Sequence, residues 1–276
     1  MLSIQSNFAQ SVAMNSLNKN SDMLSTAMER LGTGFRINSA ADDAAGLQIA
    51  NRLTVQSRGM GVAQDNVANA SNLLSTADAS LDEMNSIGLR MKDLVTQSAN
   101  DTNSTADRTA LNSEYTELKA EVTRISTQTS FGGELLLEGG KLGTGPLNFQ
   151  IGAGAAEVMA FDASAAVTAI SGAYTATTGI VDGTDFAAEL GLVDTFISSV
   201  GALRSSLGAN INRLDHTANN LAAVTQGTEN AAGRIMDADF AVESSQMSKQ
   251  QMLMQSGISV LSNAGQTTQL IGSLLR

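Results

Sequence analysis

Hydrophobic and small side chains recur along most of this chain at intervals of three and four residues, the spacing typical of an amphipathic helix. The longest stripe runs from Met60 to Ser98 and continues as a heptad-like seam. A helix of that length spans roughly 60 Å, too long for one globule to cover, so it requires companion helices. The stripe consists of Met60, Ala63, Val67, Ala70, Leu74, Ala77, Leu81, Met84, Gly88, Met91, Val95 and Ser98.

Two later segments repeat this spacing and predict the companion helices. The first follows a polar, turn-rich stretch between Ala99 and Asp107, which predicts a helical hairpin. The second returns far downstream, after a segment of different character. The companion stripes are Leu111, Tyr115, Leu118, Val122 and Ile125, and then Val193, Ile197, Val200, Leu207, Ile211, Leu214, Ala218 and Leu221.

The segment from Phe131 to Phe161 is punctuated by glycine and predicts a short β-hairpin or three short strands. Apolar residues alternate at Leu147, Phe149 and Ile151, and Pro146 marks a strand start. The following stretch, from Asp162 to about Asp185, is rich in Ala and Thr and weakly patterned, so we expect a small exposed insertion.

Both ends of the chain carry helical stripes but almost no charge. Between Met1 and Met28 the charged residues are Lys19 and Asp22, and the polar faces consist of Ser, Asn, Gln and Thr. A solitary soluble helix keeps a charged outer face, so we expect these helices to be buried on several sides in an assembly or disordered alone. An ordinary helical pair remains the alternative. The residues expected to pack there are Ile4, Phe8, Val12, Leu24, Leu31, Met247, Met254, Ile258, Leu261 and Leu274.

Composition excludes several classes of function. The net charge of −11 argues against a nucleic-acid binder, which needs clustered Lys and Arg. The absence of cysteine excludes disulfides and thiolate metal sites. We expect no ordinary secretory signal, because the first residues lack a basic start followed by an apolar run. We also expect no membrane span, because the sequence is interpreted as having no window of about 18 apolar residues.

The stretch GFRINSAADDAAGLQIA, Gly34 to Ala50, raises the choice between an acidic site and a joint between helices. Adjacent carboxylates on a helix face different ways and chelate poorly as a pair. Ser39 followed by Asp42 resembles a capping box, which predicts a helix that begins near Ala40 with both acids in its first turn. Gly32 and Gly34 are expected to end the preceding helix. The residues assigned to this joint are Arg36, Asn38, Ser39, Asp42 and Asp43.

Other candidate sites have simpler interpretations. The glycines between Gly132 and Gly154 lack any phosphate-loop context and are interpreted as turns. The single histidine, His216, has no second histidine or cysteine to complete a metal site or triad, so we expect a surface residue. Met252 and its neighbours suggest a binding face or, more simply, helix packing. The sequence therefore predicts no catalytic, metal or cofactor-binding residue.

Several blocks resemble bacterial flagellin, and they occur in order at the spacing of that family. The resemblance covers Met1 to Phe161 and Asp185 to Arg276. The blocks are MERLGTGFRINSAADDAAGLQIANRL, LRMKDLVTQSANDTNS, TQTSFGGELLL, LNFQIGAGA and IMDADFAVESSQMSKQQMLMQSGISVLSNAGQTTQLIGSLLR.

This resemblance implies a mainly α fold: an elongated antiparallel coiled-coil bundle with a small β-hairpin region and little or no outer domain. Its inner filament layer is D0 and the next layer is D1. The implied segments are the D0 helix 1–38, the D1 long helix and hairpin 39–130, the β region 131–161, the variable insertion 162–185, the D1 helix 186–234 and the D0 helix 235–276.

The resemblance also implies a function, a structural subunit that polymerises into the helical filament used for swimming. Such subunits are exported unfolded through the flagellar type III apparatus, which agrees with an extracellular location without a signal peptide. Implied partners are further copies of the chain, a chaperone on about Ile235–Arg276, the filament cap and hook-associated proteins. A hook–filament junction protein is the alternative. An enzyme carried on a filament would need a motif such as H-E-x-x-H, and residues 162–184 contain no His.

The resemblance further implies a host partner, because a vertebrate Toll-like receptor recognises the D1 helices of many flagellins. The family positions correspond here to Arg90, Leu94 and Glu114, with QSAN at Gln97–Asn100. These residues are therefore a candidate receptor contact. The alternative is that they serve axial contacts between subunits, and both roles are compatible.

Overall fold

A computed structural model describes residues 8–181 and 185–274, without the side chains of Ala9 and residues 267–274. The described chain is predominantly helical with short antiparallel strand pairs, which confirms the expected mainly α class. The elements are α1 Phe8–Thr33, α2 Ala44–Ser98, α3 Thr105–Gln128, β1 Ser130–Phe131, β2 Glu134–Leu135, β3 Leu147–Gln150, β4 Val158–Phe161, α4 Ser164–Ala176, α5 Phe186–Met236 and α6 Phe240–Leu274.

The chain divides into two compact units. The terminal unit comprises residues 1–55 and 227–276, and the central unit comprises residues 56–226. Because α2 and α5 are long, each contributes residues to both units.

The core of the central unit is the stripe predicted along α2. Every member of that stripe, from Met60 to Ser98, is buried, which confirms the predicted seam. The companion stripes on α3 and α5 are buried or half-buried against the same core. A Cβ atom at Gly88 would lie 2.9 Å from the ring of Phe196, so glycine allows α2 and α5 to approach closely. Phe196 lies outside the predicted stripe and is 1% exposed.

The connection between α2 and α3 is the predicted helical hairpin. Ser104 caps the N-terminus of α3, and its side chain accepts a hydrogen bond from the backbone N–H of Asp107. Asp107 in turn accepts from the backbone N–H of Ser104 at 3.0 Å, which completes a capping box. The Arg108 Nε atom donates to the Ser98 carbonyl at 3.1 Å and ties the two helices together. Polar residues therefore end one helix and start the next within a short loop.

The β region contains four short strands in two hairpins, where one hairpin or three strands were expected. β1 and β2 are joined through Gly132 and Gly133, both of which have the positive φ values that favour glycine. β3 pairs with β4 in a register that places Leu147 opposite Phe161. β3 begins directly after Pro146, as predicted.

The expectation of an exposed insertion after Asp162 is wrong for most of that stretch. Residues Ser164–Ala176 form α4, and one face of this helix is buried in the core. Alanines and a glycine separate the larger apolar residues of this helix, so its helical periodicity is hard to recognise in the sequence. The Tyr174 ring packs edge-on against Phe196, with ring centroids 6.4 Å apart. The buried face consists of Val167, Ile170, Ala173 and Tyr174.

α5 contains an apolar window of the kind that the sequence was expected to lack. It contains an 18-residue window with a mean hydropathy of 1.4, long and apolar enough to cross a membrane by length and composition alone. The expectation that no segment reaches this composition is therefore wrong. Val193, Val200 and Leu207 of α5 are buried in the core of the central unit. Within the described chain, 28% of the apolar window is buried.

Replacing Leu81 with alanine should destabilise the central unit by about 2–5 kcal/mol, because the cavity lies in a fully buried seam. The matched control is Leu89→Ala on the same helix, since Leu89 is half exposed and should cost less than about 1 kcal/mol. Urea unfolding of the monomer, followed by circular dichroism, measures both. Equal losses from the two substitutions would contradict the assignment of the seam.

Candidate assembly interface

α1 and α6 pack against each other as an antiparallel pair in the terminal unit. Contacts recur about every seven residues, descending along α1 while ascending along α6, which is the pattern of a heptad seam between antiparallel helices. Leu24 and Ala27 of α1 are buried in this seam. The paired positions are Arg30 with Glu243 at 3.0 Å, Met23 with Gln250 at 3.7 Å, and Leu17 with Gly257, where a Cβ atom would lie 3.4 Å from the leucine Cδ1.

The seam includes polar residues that are largely removed from water. The side chain of Glu243 retains 12% of its exposure, and its partner Arg30 retains 28%. Gln250, one heptad further along α6, is 2% exposed. A buried carboxylate without a partner is strongly destabilising, so the Arg30 guanidinium is required at this level of the pair.

The residues expected to pack at the termini divide into two groups. Leu24 is buried, whereas Leu31, Met247, Met254 and Leu261 are half-buried. Phe8, Val12 and Ile258 are exposed, so a single chain does not cover them. Ile4 lies outside the described residues, as does the side chain of Leu274.

Sequence reasoning missed most of the apolar residues that point outward from this pair. We call the exposed large apolar residues of α1 and α6 the outer apolar surface. They lie outside the buried seam, and only Phe8, Val12 and Ile258 among them were predicted from the sequence to pack. Covering such side chains contributes about 1.5–3 kcal/mol for each one fully buried. The outer apolar surface comprises Phe8, Val12, Met14, Met28, Phe240, Val242, Met252, Leu253, Ile258 and Val260.

The joint begins where α1 ends. Gly34 has a φ of 77°, a conformation that favours glycine and stops the helix. Gly32 lies inside α1, so the expectation that it breaks the helix is wrong. The Ala238 N–H donates to the Gly34 carbonyl at 2.9 Å, and the Arg36 N–H donates to the Met236 carbonyl at 2.6 Å. These bonds attach the N-terminal joint to the turn between α5 and α6.

The expected cap at Ser39 is wrong, because α2 begins at Ala44. The Asp42 carboxylate instead accepts the backbone N–H groups of Ser39 at 2.9 Å and Asn38 at 3.2 Å, together with the Ser39 hydroxyl at 3.0 Å. The bonds from Ser39 hold the pKa of Asp42 below its usual value, since they stabilise the charged form. Asp42 therefore closes a turn before the helix and is not in its first turn.

Asp43 is the residue that caps α2. Its Oδ1 atom accepts the Gly46 N–H at 2.8 Å, and its carbonyl accepts the Leu47 N–H at 3.0 Å. A Cβ atom at Gly46 would lie 2.5 Å from the Asp43 Oδ2 atom and 2.9 Å from the Ile37 Cδ1 atom. Glycine is therefore needed at position 46 for the cap to close over the buried Ile37 side chain.

Arg36 belongs to the same joint and contacts the end of α5. Its Nη2 atom donates to the Ile235 carbonyl at 3.0 Å, so the guanidinium reinforces the link to the end of α5. The Asn38 side chain donates to the Phe35 carbonyl at 3.3 Å. No group of His, Cys, Asp and Glu suited to a metal ion occurs among the described residues. The hydrogen bonds of this acidic stretch connect backbone segments, as expected of a joint between helices.

The candidate receptor residues lie in the central unit, and two of them pair. The Arg90 and Glu114 side chains form an exposed ion pair at 2.6 Å that links α2 to α3. Leu94 is fully buried, so it is not accessible in this chain as the other two residues are. His216 is exposed on α5, as predicted.

Comparison with known proteins agrees with this architecture. The family profile described as bacterial flagellin N-terminal helical region matches residues 4–141, and that described as bacterial flagellin C-terminal helical region matches residues 190–275. Flagellin A of Vibrio anguillarum is 32% identical over 380 positions that cover 100% of both chains. The chain belongs to the flagellin family. It is a structural subunit of the bacterial flagellar filament, the extracellular organelle of swimming.

Two further comparisons describe the range of this family's relatives. The flagellin of Halalkalibacterium halodurans is 36% identical over 250 positions, which cover 91% of each chain. A solved structure of a putative flagellar hook-associated protein from Vibrio parahaemolyticus has a TM-score of 0.58 at 16% identity, covering 71% of this chain and 100% of that one. The second likeness shows a shared fold alone. Nothing in these comparisons favours the junction alternative over a filament subunit.

Replacing Asp43 with alanine should destabilise the start of α2 by about 1 kcal/mol, because the Gly46 N–H loses its acceptor. Asp43→Ser keeps a capping oxygen and serves as the matched control. Hydrogen exchange of the amides at 45–47 in the monomer measures the effect. Exchange that is unchanged by Asp43→Ala, or equally fast in both variants, would contradict this cap assignment.

Proposed function

We propose that this flagellin polymerises through the outer apolar surface of α1 and α6, which neighbouring copies cover in the filament. The observation that carries the proposal is the exposure of large apolar side chains on α1 and on the charge-poor helix α6. Phe8 is 80% exposed and Phe240 is 72% exposed. α6 carries only Glu243 and Lys249 as charged residues over its 35 positions. Such a surface favours burial against a second molecule.

In the proposed mechanism the terminal helices acquire further packed sides during assembly. The α1–α6 seam covers one side of each helix, and further copies supply the others. Head-to-tail contacts between different surfaces that do not close into a ring generate an open helix. Burial at the interface then adds to the stability of the terminal unit by mass action. We assign residues 1–38 and 235–276 to the inner D0 layer, and the helical parts of 39–130 and 186–234 to D1, with 131–161 as its β region.

We propose that the joint sets how the D0 layer is attached to D1. The backbone bonds between Gly34 and Ala238 and between Arg36 and Met236 support this role. Asn38, Ser39, Asp42 and Asp43 hold the turn and the helix start that follow. Substitutions at these positions are therefore expected to alter filament shape or stability.

The assembly proposal predicts that a charge on the outer apolar surface blocks polymerisation. The double variant Met252→Asp, Ile258→Asp places two carboxylates at exposed positions of α6 and should raise the critical concentration at least tenfold, about 1.4 kcal/mol per added subunit. Seeded growth, followed by light scattering and electron microscopy, measures it. Deletion of Met1–Leu31 or Ser244–Arg276 should abolish filaments entirely.

The matched control is Gln251→Asp, Gln255→Asp, which adds the same charge to α6 at exposed positions that are already polar. This control should polymerise with a critical concentration within about threefold of the parent chain. Long filaments from the apolar-surface variant, or equal inhibition by the control, would refute the proposed interface.

We infer that the protein is secreted unfolded through the flagellar export apparatus and that a chaperone covers residues 235–276 beforehand. α6 is apolar and carries little charge, so it would tend to aggregate before export unless a chaperone covered it. The filament cap and hook-associated proteins are proposed as further partners. We infer a non-enzymatic role because flagellins are structural proteins. The acidic residues Asp42 and Asp43 also form hydrogen bonds with nearby backbone N–H groups.

We also propose that the exposed ion pair of Arg90 and Glu114 is part of a surface recognised by a host Toll-like receptor. Both side chains are about half exposed, which makes them available to a partner. Leu94, four residues further along α2, is buried in the core on the helix that presents Arg90. Its part in recognition is therefore indirect.

Replacing Arg90 with alanine should reduce receptor activation by the monomer at least tenfold, because an exposed arginine is a frequent source of interface energy. Arg124→Ala on α3 removes a similar exposed ion pair, with Glu121, and should leave activation unchanged. Reporter cells measure activation, and circular dichroism confirms that both variants fold. Full activity of the Arg90 variant would exclude the proposed contact.

A further inference from the structure

Residues Ser164–Ile180 are here named the cap segment. We propose that the cap segment is an integral part of the central unit's core and that hydrogen bonds to the Glu138 and Glu189 carboxylates hold it there. The alternative is a dispensable appendage attached to a helical bundle that is stable without it. These descriptions differ in one physical respect. An integral cap shares its stability with α3 and α5, whereas an appendage can open without loosening them.

The apolar face of the cap segment closes over the other elements of the central unit. Tyr174 is buried, and its ring meets the ring of Phe196 on α5. On the same face, the Val167 Cγ1 atom would lie 3.3 Å from a Cβ atom at Gly143, in the loop that follows β2. Ile180, at the end of the segment, is fully buried. The cap segment therefore fills space that solvent would otherwise reach.

Glu138 forms the first anchor. Its carboxylate accepts hydrogen bonds from the hydroxyl of Ser126 on α3 at 3.1 Å and from the hydroxyl of Ser171 on α4 at 2.9 Å. The Tyr174 hydroxyl also donates to it. These bonds, led by that of Tyr174, hold the pKa of Glu138 below its usual value, so the charged acceptor persists at neutral pH. One carboxylate thus joins α4 to the end of α3.

Glu189 forms the second anchor, on α5, and is only 2% exposed. It accepts the Tyr115 hydroxyl of α3 at 2.7 Å and the Thr178 hydroxyl of the cap segment at 3.1 Å. The backbone N–H groups of Thr178 and Gly179 also donate to it, at 3.1 Å and 3.3 Å. A carboxylate buried to this extent is tolerated only with such donors. Opening the cap segment would remove every donor to Glu189 except the Tyr115 hydroxyl.

The end of the cap segment is also bonded to α3 and to the end of α2. The Ile180 N–H donates to the Asn112 side chain at 2.9 Å, and the Ile180 carbonyl accepts the Ser98 hydroxyl at 3.2 Å. The Lys119 ammonium donates to the Thr177 carbonyl. At Gly179, φ is 117° and a Cβ atom would lie 2.9 Å from the Asn112 Oδ1 atom, so glycine is required there.

This bonding explains a feature of the composition. The chain has two tyrosines, and each donates its hydroxyl to one of the two anchor carboxylates. The anchors connect the loop after β2, the end of α3, the cap segment and the start of α5. These segments are distant in sequence, so their connection is a cooperative feature of the central unit.

The test compares Glu189→Ala and Glu138→Ala with Glu117→Ala, which removes an exposed carboxylate from α3. All are made in the full-length monomer, and amide hydrogen exchange is measured in residues 112–126 and 186–200. An integral cap predicts exchange at least tenfold faster there in both anchor variants, with the Glu117 variant unchanged. Chymotrypsin cleavage after Tyr174 should accelerate in parallel.

Faster cleavage after Tyr174 with unchanged exchange in α3 and α5 would show an appendage and overturn the proposal. Unchanged cleavage and unchanged exchange would overturn it as well. If an alanine variant does not fold, Tyr115→Phe and Thr178→Ala each remove one donor from Glu189 and should accelerate exchange about fivefold. None of these measurements involves polymerisation, so their outcome is independent of the proposed assembly interface.

Discussion

The central unit depends on the burial of one continuous apolar stripe along α2. A helix of this length cannot cover its own apolar face, so α3 and α5 must supply matching faces along it. The stripe contains many small residues, and Gly88 in particular permits the close approach of Phe196. A chain with 4% aromatic residues can therefore build a dense core by bringing helices close together.

The same requirement operates in the terminal unit, where one chain satisfies it only in part. The α1–α6 seam buries Leu24 and Ala27 and neutralises Glu243 with Arg30. Outside the seam, both helices retain exposed apolar side chains such as Phe8 and Ile258. A subunit of a filament is expected to have this property, because the missing contacts are then available only to another copy.

The acidic residues that first suggest chemistry are used to organise the backbone. Asp42 closes a turn, Asp43 caps α2, and Glu138 and Glu189 each gather hydroxyl or amide donors from several segments. A carboxylate can accept several hydrogen bonds at once, which suits it to places where chain segments meet. In this fold such residues mark connections between elements.

The sequence by itself determined which residues share a helix face, where the α2–α3 hairpin turns, and to which family the chain belongs. Periodicity establishes these features because side chains three and four residues apart lie on one side of a helix. Only the tertiary structure decided that α4 is buried, that Leu94 is inaccessible, and that Asp43 rather than Ser39 caps α2. Periodicity does not specify which face of a helix another element covers, so the burial of α4 and of Leu94 could not be predicted. The partner of a carboxylate such as Asp43 depends on which donors the folded backbone brings within hydrogen-bonding distance.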